Sequence, residues 1–170
     1  SMTTSSKVLT PAAIVNELKY LGTSHIVWLP DTESRFLYDA VAADTELTLV
    51  PVCREGEAIP VAMGLLLGGQ HPVCMIQSTG FYESGDAVRG LALDVGLPLL
   101  IFIGYRGFKR EGQILDSAAT YLEPILKAWG INHYLIETDS DVPKIKEAYS
   151  ETQNRCRPVA VLIGAEYQAE

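Results

Sequence analysis

A chain of 170 residues that is 48% hydrophobic and 20% charged has the size and composition of one globular domain with a full core, which excludes a disordered or fibrous protein. Its formal charge of -8 excludes a general nucleic-acid or anionic-membrane surface, since phosphate binding needs clustered Lys and Arg; any anionic ligand must be met by local groups. Three widely spaced cysteines (Cys53, Cys74, Cys156) and three scattered histidines (His25, His71, His133) suit neither a disulfide framework nor a metal site. No apolar run reaches the roughly 18 residues of a membrane span, so a reduced, cytoplasmic protein is expected, with no metal of its own.

Residues 1–9 open with polar Ser-Met-Thr-Thr-Ser-Ser and are expected to be disordered or tag-derived, leaving 10–170 as the domain. Pro11 to Leu21 predicts an amphipathic helix with Thr10 as N-cap, Ile14, Leu18 and Leu21 on one face, and Gly22 as its stop. His25 to Leu29 is a short apolar strand closed by Pro30-Asp31-Thr32-Glu33-Ser34. Asp31 or Thr32 is placed to cap a helix carrying Phe36, Leu37, Ala40 and Val41. Leu47 to Val52 is a second strand, and the charged turn Cys53-Arg54-Glu55-Gly56-Glu57 joins it to a small-residue, apolar helical segment.

Pro72 to Ile76 is a third strand, with Gln77-Ser78-Thr79-Gly80 directly after it as a turn and a helix over Ser84 to Leu93. Leu97 to Ile103 is almost continuously apolar, as a central strand buried on both faces is. The irregular, basic stretch Gly104 to Gln113 follows, then a helix over Asp116 to Trp129, a strand His133 to Ile136, a charged helix Asp141 to Tyr149, and a last strand Pro158 to Ile163. Strand and helix alternate with short connections. The expected fold is therefore α/β: a single three-layer domain with a sheet of about six strands, mainly parallel, and helices on both faces.

In such a sheet ligands bind outside the carboxyl ends of the strands. Asp31, the Glu55/Glu57 pair, Gln77 to Asp86 and Tyr105 to Gln113 should gather there. Position alone does not separate Glu55 from Glu57, since either acid also suits a helix N-terminus. The chain has no GxGxxG after the first strand, no GxxxxGK and no GxSxG elbow, so it carries no nucleotide or nucleophile fingerprint.

Four of these motifs in register, Pro30-Asp31-Thr32, Cys53-Arg54-Glu55-Gly56-Glu57-Ala58, Gln77-Ser78-Thr79-Gly80 and Gly104-Tyr105-Arg106-Gly107, resemble the pyrimidine-binding domain of thiamine diphosphate decarboxylases. The likeness is to phosphonopyruvate and sulfopyruvate decarboxylases, with their PDS or PCS turn, NEG/REE glutamate turn, QNSG turn and G(W/H)RG loop. It spans about Thr10 to Gly164. The resemblance implies that Glu55 hydrogen-bonds N1′ of the aminopyrimidine and activates it, that Gln77, Ser78, Thr79 and Gly80 line the cofactor pocket, and that Asp31, Thr32 and Arg106 face the substrate. Asp31 is implied as a second catalytic group.

The family's diphosphate-binding half carries a GDG…N motif that holds magnesium, and this sequence contains no Gly-Asp-Gly. The resemblance therefore implies the α subunit of a two-subunit decarboxylase of small 2-oxo acids, sharing thiamine diphosphate with a β subunit that carries Mg2+. The implied assembly is α2β2 or larger, with an α homodimer as a further possibility. Two other functions fit the same residues: a non-catalytic α/β binding or regulatory module, and the α subunit of a carboligase or lyase using the same cofactor. The sequence also departs from the family. Gln-Ser-Thr-Gly-Phe-Tyr-Glu-Ser-Gly-Asp replaces QNSGLGN, so Glu83 and Asp86 are expected to repel an anionic substrate if they face it. Pro60 falls where relatives continue a helix, so the helix is expected to start later.

Overall fold

A computed structural model describes residues 8–31, 34–109 and 113–164. Helix α1 (Pro11–Tyr20) is capped as expected: the Thr10 hydroxyl accepts from the Ala13 N–H at 3.3 Å, and Ile14, Val15 and Leu18 point inward. Leu9, in the stretch expected to precede the domain, is only 3% exposed and belongs to the core, and the Val8 carbonyl accepts from the Asp139 N–H. The packed chain thus reaches back before Thr10.

Strands β1 (His25–Trp28), β2 (Thr48–Pro51), β3 (Pro72–Gln77), β4 (Leu100–Gly104), β5 (His133–Ile136) and β6 (Val159–Ile163) form one sheet in the order β2-β1-β3-β4-β6-β5. Every pairing is parallel. Strands β3, β4 and β6 are buried along their whole length, whereas the edge strands β2 and β5 are partly exposed. Alternation along the strands divides the core into two layers. Ile26, Trp28, Val73, Met75, Leu100, Phe102 and Val161 face α1, α2 (Arg35–Ala43) and α8 (Pro143–Arg155). Val27, Cys74, Ile76, Ile101, Ile103 and Leu162 face α3 (Glu55–Leu67), the π-helical segment Val88–Gly96 and α7 (Leu122–Ala128). The expected three-layer architecture is present, with helices on both faces of the sheet.

Three expectations need correction. Helix α3 starts at Glu55 and runs through Pro60 instead of starting after it. An interior proline costs about 3 kcal/mol, but Ala58, Ile59, Ala62 and Met63 are all buried on this helix; full burial of an Ile or Met contributes about 1.5–3 kcal/mol each, so packing outweighs the proline. The expected helix from Asp116 to Trp129 is two pieces, α6 (Ser117–Thr120) and α7, broken at Tyr121. Pro124 has no N–H to offer the Thr120 carbonyl, so the ladder cannot continue across it. Finally, Ser78-Thr79-Gly80 is not a free turn but the start of α4 (Ser78–Glu83). The short α5 (Gly85–Ala87) and the π-helical segment continue from it, where one regular helix was expected.

Candidate functional site

Strand order places the site. The chain goes from β1 to β2 on one side, then returns across β1 to β3, so β1 and β3 are neighbours whose following helices lie on opposite faces of the sheet. This is a topological switch point, where a crevice opens at the carboxyl edge. The residues after β1, β2 and β3 are Asp31, Glu55 and Ser78. Three buried donors have no hydrogen-bond partner among the described residues at this edge: Nε1 of Trp28, the last residue of β1, Oγ of Ser34 in the turn that follows it, and Oγ of Ser78, the first after β3. Buried polar groups are nearly always paired, so unpaired ones at adjacent strand ends mark a place where a bound group is missing.

Glu55 is the first residue of α3 and is half-buried. Its side chain lies directly on Gly80: a Cβ added there would stand 2.3 Å from Glu55 Cγ and 2.9 Å from Oε1. Only glycine allows α4 to pass under the acid. The other end of α4 fixes the same helix start, because the Glu83 carboxylate accepts from the Gly56 N–H at 2.6 Å and from Arg54 Nε. A carboxylate on the free amides of a helix N-terminus also suits the helix dipole. Helix α4 is itself tied down through Tyr82, whose hydroxyl donates to the Ala118 carbonyl at 2.6 Å and is pushed to a higher pKa by burial.

These contacts separate the two acids that the sequence left level. Glu55 is held over Gly80 at the crevice, while Glu57 is exposed one turn on and its N–H closes the first helical turn onto the Arg54 carbonyl at 3.0 Å. They also correct the expectation for the acidic replacements. Glu83 is committed to Arg54 and Gly56, and Asp86 to Arg89 at 2.7 Å, so both charges are met within the chain.

Gln77 is 8% exposed and its Oε1 accepts from the Thr79 hydroxyl at 2.5 Å; Ser78 is fully buried. The structure therefore brings Glu55, Gln77, Ser78, Thr79 and Gly80 together around one corner. Asp31 stands apart from that corner: its Oδ1 accepts from the Ser34 N–H at 2.9 Å, and it lines a cavity of about 470 Å3 with Pro30, Arg35, Tyr38 and Asp39. Ser34, not Asp31, precedes α2, and its side chain makes no capping bond. Thr32 lies outside the described residues. Arg106 pairs with Asp116 at 3.3 Å, both half-exposed, in a loop where Gly107 (φ +79°) packs so closely on Asp116 that a Cβ would meet it at 2.3 Å. In the same loop Tyr105 stacks on Phe108 and donates its hydroxyl to Glu123 at 2.8 Å; burial, then this bond, raises its pKa.

Sequence reasoning missed two residues here. Glu83 was visible as an acid but not as a cap, because its partners lie 27 and 29 positions away. Arg35 gave no signal, since a lone arginine at a helix start is ordinary.

The corner fits an aminopyrimidine ring: a carboxyl above a floor that a single methyl group would fill, with a buried hydroxyl lacking a partner beside it. No cluster of His, Cys, Asp or Glu suited to a metal occurs among the described residues. Nor is any helix among them long and apolar enough to cross a membrane.

Residues 10–131 match the thiamine pyrophosphate enzyme N-terminal TPP-binding domain, and the chain belongs to that family. It is similar to the sulfopyruvate decarboxylase subunit alpha of Methanococcus maripaludis, 28% identical over 148 residues that cover 86% of this chain and 89% of that one. The subunit of the same name from Methanocaldococcus jannaschii is 29% identical, covering 91% and 93%. A sulfopyruvate decarboxylase of Methanosarcina acetivorans is 25% identical over 88% of this chain but only 38% of its own length.

Proposed function

We propose that this chain is the α subunit of a two-subunit thiamine diphosphate-dependent decarboxylase acting on a 2-oxo acid of the sulfopyruvate or phosphonopyruvate type. The observation that carries the reading is Glu55, a half-buried acid seated on Gly80 at the switch-point edge. The family membership and the similarity to two subunits named alpha support it.

Glu55 holds and returns a proton at the ring nitrogen N1′ of the aminopyrimidine. Gly80 keeps the approach open, Gln77 and Thr79 form one wall through their mutual hydrogen bond, and the Ser78 hydroxyl supplies a donor at the buried end. The bound cofactor supplies an electron sink for the carbon–carbon bond that breaks as carbon dioxide leaves. Asp31, across the crevice in the turn after β1, orients the substrate or gives a proton to it. Glu55 is only half-buried in this chain, and a partner subunit covers it. That β subunit, of the GDG…N type, brings the diphosphate and Mg2+ contacts, in an α2β2 or larger assembly.

The test is reconstitution. The chain, mixed with the partner subunit, thiamine diphosphate and Mg2+, is expected to release carbon dioxide from 3-sulfopyruvate or 3-phosphonopyruvate. Glu55→Gln should lower kcat by roughly 100-fold or more, the scale of a lost acid–base group. Turnover by the variant at the wild-type rate overturns the assignment of Glu55.

A further inference from the structure

The carboxyl edge of the sheet carries three described arginines near strand ends. Arg54 is bound to Glu83 and Arg106 to Asp116. Arg35 is exposed, and no ion pair or hydrogen bond of its side chain occurs among the described residues. It opens α2 directly after the β1 turn and lines the cavity of about 470 Å3 together with Pro30, Asp31, Tyr38 and Asp39. That volume lies within the range of small-molecule sites, roughly 300–1,000 Å3. The cavity is at the β1 end of the switch-point crevice, and its wall Tyr38 packs edge-on against Trp28 at 5.6 Å, whose indole N–H is one of the three unpartnered buried donors.

From this we infer that Arg35 is the specificity residue for the substrate's charged tail, binding a tetrahedral oxyanion, sulfonate or phosphonate, through two guanidinium N–H groups. The inference rests on the decarboxylase reading and names what that site selects. Arginine suits the task because its planar fork meets two oxygens at once and it stays charged at all working pH values. Of the cavity's two carboxylates, Asp39 is exposed, where water and salt screen its charge, and Asp31, whose Oδ1 accepts from the Ser34 N–H, forms no ion pair with Arg35. Arg106 suits the task less well, since it would first have to leave Asp116. The anionic tail is thus met on the α2 side of the crevice and the cofactor ring on the α3 side, which places the 2-oxo carbon between them.

The test is steady-state kinetics of the reconstituted complex with 3-sulfopyruvate, 3-phosphonopyruvate and 2-oxobutanoate, the last having no charge on its tail. For Arg35→Gln, KM for the charged acid that wild type uses is expected to rise about 10- to 100-fold, the scale of one lost charge-assisted pair. Its kcat should stay within about threefold, and so should kcat/KM for 2-oxobutanoate; Arg35→Lys should recover part of the loss. An unchanged KM, or a fall in kcat shared equally by charged and uncharged acids, overturns the role of Arg35 while leaving the decarboxylase reading intact. Absence of carbon dioxide release by wild type from all three acids overturns that reading, and the role of Arg35 with it. The exposed position of Arg35 makes loss of folding an unsuitable explanation, and an unaltered thermal midpoint for the variant checks this directly.

Discussion

Two corners of the same sheet edge are built in opposite ways. At the α3–α4 corner the polar groups around the acid are bound to one another, Glu83 to Arg54 and the Gly56 amide and Thr79 to Gln77, while Glu55 rests on Gly80 and the Ser78 hydroxyl has no partner among the described residues. At the β1–α2 corner the polar groups surround open space, and its arginine is unpaired among the described residues. The difference teaches where preorganisation is needed. An acid that must meet one ring atom is fixed by the fold in advance, whereas a cation that selects a flexible substrate tail can wait exposed.

The largest effect is expected from breaking the fixed corner. In Gly80→Ala the new methyl would stand 2.3 Å from Glu55 Cγ, so either Glu55 or α4 must move. Overpacking of this kind costs roughly 1–3 kcal/mol, and the displacement of Glu55 should lower kcat of the complex by roughly 100-fold or more. A crystal structure of the variant with Glu55 unmoved and full turnover would break the comparison. Next in size is Glu83→Ala, which removes the carboxylate from the α3 N-terminus. A lost cap costs about 1 kcal/mol, read as a lower midpoint in urea, and kcat should fall more than KM rises, because Glu83 acts only through the position of Glu55.

Tyr105 gives a smaller, pH-dependent effect at the neighbouring strand end. Burial, followed by the bond to Glu123, holds its folded pKa above the ordinary 10.0. The neutral phenol is therefore favoured by folding. Its contribution to stability is complete below pH 10 and is lost as pH rises above 10 toward the folded value. Wild type should lose stability above pH 10 more steeply than Tyr105→Phe, as followed by urea midpoints at pH 8 through 11. Equal slopes would contradict the shift. The smallest effect is expected for Arg106→Gln. The Arg106–Asp116 pair is half-exposed, such pairs contribute about 0–1 kcal/mol, and KM for the charged substrate should change by less than about threefold. A large rise in KM there would move the oxyanion site from the α2 corner to the β4 loop.

Much of this was legible in the chain. Six apolar runs with short connections gave the six parallel strands, and the continuous run near Leu100 gave a central one. Thr10, Pro11 and Gly22 bounded the first helix by local chemistry alone. Glu55 was legible as an acid at a strand–helix joint, and the resemblance chose it over Glu57; its contact with Gly80 gives that choice a physical reason. What stayed hidden depended on partners distant in sequence. Glu83 read as a misplaced charge until its bonds to residues 54 and 56 were seen. Pro60 read as a sign of a later helix start because the burial that outweighs it belongs to the tertiary core, and Pro124, which does break a helix, was passed over inside a good apolar pattern. Arg35 could not be found at all from local pattern, since its significance lies in the lack of a pair and in the cavity beside it.

Glu55, seated on Gly80, is the acid proposed to activate the aminopyrimidine. The measurement closest to that claim is the rate of hydrogen–deuterium exchange at thiazolium C2 of thiamine diphosphate bound to the reconstituted complex, followed by quenched NMR without substrate. Glu55→Gln is expected to slow the exchange by about 100-fold or more while the cofactor stays bound. Exchange at the wild-type rate in that variant, with the cofactor shown to be bound, would contradict the account.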